Sequence, residues 1–149
     1  MKIYIASDHA GFAMKGELIE YLKTLSVECF DCGPYEYNHD DDYPDFISLV
    51  AKEVSDDPNE SVGIIVGRNG QGEAIVANRF PRVRCMVFYG GSKHMITLGR
   101  EHDDANMISF GSHFLTTQEA KVALEVFLHT QFTGEERHVR RIKKIEQYD

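Results

Sequence analysis

The side chains best suited to chemistry gather around one glycine-rich turn. Residues 64–79 run from an apolar strand pattern through Gly67-Arg68-Asn69-Gly70-Gln71-Gly72 into a helical pattern that opens on Glu73. Glycines at such a turn let backbone N–H groups approach a ligand closely. The helix start adds the positive end of its dipole, so a phosphate or a developing oxyanion suits the turn. Glu73 sets a carboxylate beside those amides, which serves a general base and equally an ordinary first-turn acid. The amides and the dipole also stabilise the ionised carboxylate and so weaken it as a base. Asp8-His9 follows the first apolar run and reads as an acid–imidazole pair or as a helix cap. Gly111-Ser112-His113 follows another apolar run, and His102 falls near the end of a helix, where an imidazole also interacts with the dipole. Arg137 and Arg141 share a helix face with Arg140 beside them, and guanidiniums so grouped bind phosphate bidentately. Glu135 and Glu136 offer the plainer reading of a solvated, salt-bridged face.

Several familiar sites are excluded. No Gly-Lys-Ser/Thr follows the glycines, and Ile75 stands where a dinucleotide fingerprint has its third glycine. His39-Asp40-Asp41-Asp42 is a poor metal site, because consecutive acids on a loop seldom converge on one ion. Cys29-x-x-Cys32 has no second pair and ends a strand where a redox motif would open a helix, so the cysteines read as structural. No metal and no cofactor is expected.

The elements that would position these groups alternate. Strands are expected at residues 2–6, 27–30, 62–66, 83–88 and 107–110, and helices at 12–25, 46–54, 72–78, 92–102, 117–128 and 135–148. Met14, Leu18, Leu22 and Leu25 recur at helical spacing with charges opposite them. Alternation of this kind predicts a parallel sheet with helices on both faces, an α/β Rossmann-like sandwich. The loops after the first, third and fifth strands would then meet at one sheet edge, where open α/β sheets bind ligands. A long polar and aromatic loop at residues 31–44 is a further candidate for function.

At 149 residues the chain fits one domain, and a domain of that size buries roughly 70% of the surface its unfolded chain exposes. A formal charge of -8 argues against a nucleic-acid surface. No stretch approaches the 18 or so apolar residues of a membrane span, and the first residues are too strand-like for a signal peptide. A cytoplasmic protein is expected.

Taken together, Ser7-Asp8-His9-Ala10-Gly11, Asp42-Tyr43-Pro44, Gly70-x-Gly72-Glu73 with Ala77-Asn78-Arg79, the run from Arg100 to Asn106, and Arg137-His138-Val139-Arg140-Arg141 resemble the type B ribose-5-phosphate isomerase family, which includes galactose- and allose-6-phosphate isomerases. The resemblance extends in order over nearly the whole chain. It implies a cofactor-free aldose–ketose isomerase with a five-stranded, three-layer α/β/α fold. It also implies a homodimer whose active sites draw on both chains, with a higher oligomer conceivable. By motif, His102 would assist opening of the sugar ring, with Asp8 near the ring-oxygen end. His9, Arg137 and Arg141 would hold the phosphate, and Tyr43 would line the sugar site. Many members carry a cysteine base at the position of Gly67. One branch instead uses a glutamate at the position of Glu73, which this chain has. The amides of Gly70, Gln71 and Gly72 would then stabilise the enediolate.

Four positions depart from the family pattern. Asp103 stands where the family generally has asparagine, His113 where an arginine usually helps to bind phosphate, Arg68 for a glycine, and Asn69 for a serine or threonine. The reading with most support is isomerisation of ribose 5-phosphate and ribulose 5-phosphate. Alternatives are a six-carbon sugar-phosphate isomerase and a sugar-phosphate-binding module that has lost catalysis. A receiver-type signalling domain fits less well, because Gly67 stands where a phosphoacceptor aspartate is needed.

Overall fold

The structure, a computed structural model, describes residues 1–148. Five short apolar runs form the strands β1 (Lys2–Ser7), β2 (Cys29–Asp31), β3 (Ser61–Gly67), β4 (Cys85–Phe88) and β5 (Met107–Gly111). All pair in parallel in the order β2-β1-β3-β5-β4. The helices are α1 (Phe12–Thr24), α2 (Tyr43–Asp56), α3 (Gln71–Ala77), α4 (His94–Asp103), α5 (Thr117–His129) and α6 (Glu136–Ile145), followed by a 3-10 turn at Glu146–Tyr148.

The period-2 alternation of each strand divides the core in two. Ile3, Ile5, Ile64, Val66, Ile108 and Phe110 meet α1, α4 and α5 on one face, while Ala6, Ile65 and Met107 meet α2 and α3 on the other. The central strand β3 is buried along its whole length, as a strand covered on both faces must be. Cys29 packs with the first cluster and Cys32 with the second. The two thiols thus lie on opposite faces of the sheet, and neither forms a disulfide.

Some boundaries differ from the sequence pattern for physical reasons. The second helix begins at Tyr43, not 46, because Pro44 sits in its first turn, where a fixed φ and a missing N–H cost nothing. β4 begins at Cys85, not 83, because Arg84 donates its N–H to the Asn106 side chain at 2.8 Å. The C-terminal helix stops at Ile145 and tightens into the 3-10 turn.

One buried charge braces the long loop after β2. Lys15 of α1 is 3% exposed. Its Nζ donates to Asp31 Oδ1 and to the Pro34 carbonyl, each at 2.7 Å. A lysine so buried is tolerated only when it is paired and hydrogen-bonded, and here both partners belong to the segment it holds.

Candidate active site

Parallel register levels the strand ends that carry the predicted groups. Ser7 pairs with Val66, and Gly67 with Gly111, so the loops after β1, β3 and β5 emerge side by side. They are stitched together: Asp8 N–H donates to the Val66 carbonyl (3.3 Å), Ser112 N–H to that of Gly67 (2.8 Å), and His113 N–H to that of Arg68 (3.0 Å). Ser112 Oγ donates to the Ala10 carbonyl at 3.0 Å. A cleft of about 390 Å³ opens beside them toward α1 and the start of α5, lined in part by Ala10, Glu17, Arg68, His113 and Thr116, and Glu73 does not line it.

The turn takes its shape from two glycines. Gly70, which caps α3, has φ +78°, in the left-handed region that favours glycine, and its carbonyl accepts from the buried Ser109 hydroxyl at 2.7 Å. Asn69 Oδ1 accepts the Gln71 N–H at 2.9 Å and so pins the turn. At Gly67 the reason is a close approach. A Cβ there would lie 1.8 Å from Glu73 Oε1 and 2.1 Å from its Cδ. The carboxyl of Glu73 therefore occupies the space in which a side chain at position 67 would begin. Tyr43 closes the other side, its hydroxyl end placed 2.9 Å from a Cβ built on Gly72.

Glu73 is 4% exposed. Burial pushes its carboxyl above the usual carboxylate range, the N–H of its own residue pulls it partly back, and the nearby charge of Asp8 pushes it up again. Desolvation of the Glu73 carboxyl thus works against the stabilisation that the amide gives its ionised form. Asp8, 6% exposed, accepts the Gly11 N–H at 2.9 Å and holds the turn into α1. His9 is half-exposed, and its Nδ1 lies 2.5 Å from Asp41 Oδ1. Arg68 and His113 are exposed at the cleft.

The remaining predicted residues lie elsewhere. α4 returns antiparallel to the strands, so His102 and Asp103 sit just before β5, at the edge where Met107 pairs with Gly63 and Cys85. β5 spans five residues, which places them roughly 13 Å of strand away from the end that holds Glu73. Arg100 fastens this corner with its guanidinium on the carbonyls of Phe127, Thr130 and Ala105. The His102 ring stacks on His138 of α6 at 4.3 Å and 9°. Arg137 pairs with Glu135 at 2.8 Å, and Arg141, one turn on, is exposed. Asp8, His9, Tyr43, residues 67–73 and His113 thus form one group, and His102, Asp103, Arg137 and Arg141 a second at the opposite edge.

Two residues escaped the sequence reading as contributors. Asp41 appeared only as part of an acidic run, and its tie to His9 spans 32 residues, a separation that no local pattern encodes. His138 lies between two arginines and looked like part of a solvated face, yet it is 3% exposed. Its helical offset from Ile142, which is also buried, was the available signal.

A glycine turn at the carboxyl edge of a parallel sheet, with a buried carboxylate against it, is the place where small-molecule α/β enzymes hold their ligands. The chain belongs to the ribose/galactose isomerase family, whose model matches residues 3–145. It is 38% identical over 149 residues to ribose-5-phosphate isomerase B of Mycobacterium tuberculosis, covering all of this chain and 90% of that protein. Its fold is similar to that of the Mycoplasma genitalium ribose-5-phosphate isomerase B solved with bound ribulose-5-phosphate, with a TM-score of 0.93 and 37% identity, covering 99% of this chain and 95% of that one. The enzyme of Anaplasma phagocytophilum matches with a TM-score of 0.89 and 38% identity over 97% of this chain and 95% of that one.

Proposed function

We propose that this chain interconverts ribose 5-phosphate and ribulose 5-phosphate, with Glu73 as the base. The observation that carries the assignment is the buried Glu73 carboxyl, held against Gly67 beside the amide turn. In the open-chain aldose, Glu73 takes the proton from C2 and returns it to C1 while the C2 hydroxyl proton passes to O1, so one carboxylate serves both steps at carbon. The enediolate between them carries charge on oxygen, and the amides of Gly70 and Gly72 stabilise it; the Gln71 N–H, expected to join them, is taken instead by Asn69 Oδ1. Losing one such donor typically costs roughly a hundredfold or more in rate. Asp8 beside Glu73 works at the ring-oxygen end, and Tyr43 lines the sugar.

His102, Asp103, Arg137 and Arg141 act from a second copy of the chain. Their position at the far edge of the sheet supports a homodimer in which each site takes its base from one protomer and its ring-opening imidazole and phosphate-binding arginines from the other. Three free cysteines fit a reducing, cytoplasmic setting.

Glu73→Gln tests the assignment. The variant folds and still binds phosphate ligands, and kcat falls by about 10²–10⁴. Undiminished turnover of ribose 5-phosphate would refute the role of Glu73. A panel of five- and six-carbon sugar phosphates compared by kcat/KM identifies the substrate, with ribose 5-phosphate expected to lead.

A further inference from the structure

Asp41 is the one acid of the His39–Asp42 run that turns inward. Its side chain is 4% exposed, on a loop whose residues from Tyr35 to Asp40 are exposed. A single carboxylate oxygen, Oδ1, takes both the N–H of His9 (3.1 Å) and its ring Nδ1 (2.5 Å). Two contacts from one residue to one oxygen fix the ring's plane as well as its position. They also place the ring proton on Nδ1, since an ionised carboxylate only accepts. Nε2, on the far side of the ring, makes no hydrogen bond among the described residues.

We propose that Asp41 is a positioning residue for His9, orienting the imidazole so that Nε2 faces the substrate's phosphate. This rests on the proposed isomerase function together with the phosphate role that the family resemblance implies for His9. The charged surroundings work in the same direction. Asp41, Asp8 and Asp40 all favour the imidazolium, against a smaller penalty from burial, so His9 titrates above its ordinary 6.5. The His39 ring at 5.4 Å and the Tyr37 ring at 6.5 Å complete its neighbours. An imidazolium donates a charge-assisted hydrogen bond to phosphate, about twice as strong as a neutral one.

Asp41→Asn preserves shape and removes charge, and the Lys15 brace on Asp31 and Pro34 holds the loop independently of it. The His9 ring signal, followed by NMR against pH, should titrate lower in the variant. KM for ribose 5-phosphate and the inhibition constant of inorganic phosphate should both rise about tenfold near pH 7.5, and by much less near pH 5.5, where His9 is protonated in either protein. The change should fall on KM with little on kcat. An equal loss at both pH values, or an unmoved His9 titration, would mean that Asp41 only supports the loop and would overturn the proposal. His9→Asn separates the two levels. If it leaves KM and phosphate inhibition unchanged, the phosphate role of His9 fails and this inference with it; if it weakens both while Asp41→Asn does not, only the role of Asp41 fails.

Discussion

At the scale of single residues, the decisive relation is between Gly67 and Glu73. With a Cβ at 67 only 1.8 Å from Oε1, Gly67→Ala forces the carboxyl out of its seat. The turn itself survives, because Gly70 and the Asn69 contact set its backbone. A rate loss of about a hundredfold or more is expected with nearly unchanged thermal stability, read from kcat and melting curves side by side. The same carboxyl also destabilises the fold. A Glu whose folded pKa is raised binds more protons folded than unfolded, so stability falls as pH rises through the interval above 4.5. Glu73→Gln, inactive, should therefore melt higher than the parent at neutral pH, and the gap should close near pH 4. A variant that melts lower at pH 7 would show that the amides, and not burial, dominate.

At the scale of elements, the charges inside helices set what each helix can hold in place. Lys15→Met leaves Asp31 without its cation and frees the loop that carries Asp41. A loss of about 2–3 kcal/mol is expected by urea denaturation, toward the low side for a buried pair because Asp31 is itself 31% exposed. α6 docks through His138, whose imidazole is held below its ordinary 6.5 by burial, by His102, and by Arg137 and Arg141, against a smaller opposite pull from Glu135. The unfolded chain protonates first, so this contribution is complete above about pH 6.5 and is lost as pH falls below it. His138→Gln should flatten the acid side of the stability profile below pH 6.5, measured as melting temperature against pH.

Much of this architecture was legible in the sequence. The alternation of apolar strand runs with helical patterns announces a parallel sheet covered on both faces, and Met14, Leu18 and Leu22 announce a helix that covers it. The turn from Gly67 to Glu73 could be placed at a strand's carboxyl end for the same reason. The start of α2 at Tyr43 was not legible, since a helix beginning within a polar loop has no apolar periodicity to mark it. Nor was the inward turn of Asp41 among three consecutive aspartates, because burial of one acid is decided by a partner 32 residues away. The far placement of His102 was encoded in the topology. A helix that returns from one parallel strand to the next must end at the edge opposite the glycine turn.

At the scale of the whole molecule, the proposed homodimer would build each site from two chains. Shared sites predict complementation. Glu73→Gln and His102→Ala, each inactive alone, should recover activity when unfolded and refolded together. Half the dimers are then mixed and each mixed dimer has one intact site, giving about a quarter of the wild-type rate. No recovery, with mixed dimers demonstrated by mass, would place the whole site within one chain.

The occupation of Gly67's space by a carboxyl also bears on how the enzyme meets oxidants. A thiolate base is open to sulfenic and higher oxidation, and a carboxylate is not. The thiol beside Glu73 belongs to Cys85, which burial and the Glu73 charge hold far up in its protonated, unreactive form. Cys29 and Cys32, pushed up to about 11 by burial, are similarly inert at neutral pH. With Glu73 as the base, turnover should thus persist through treatment with hydrogen peroxide or iodoacetamide that would silence a thiolate base.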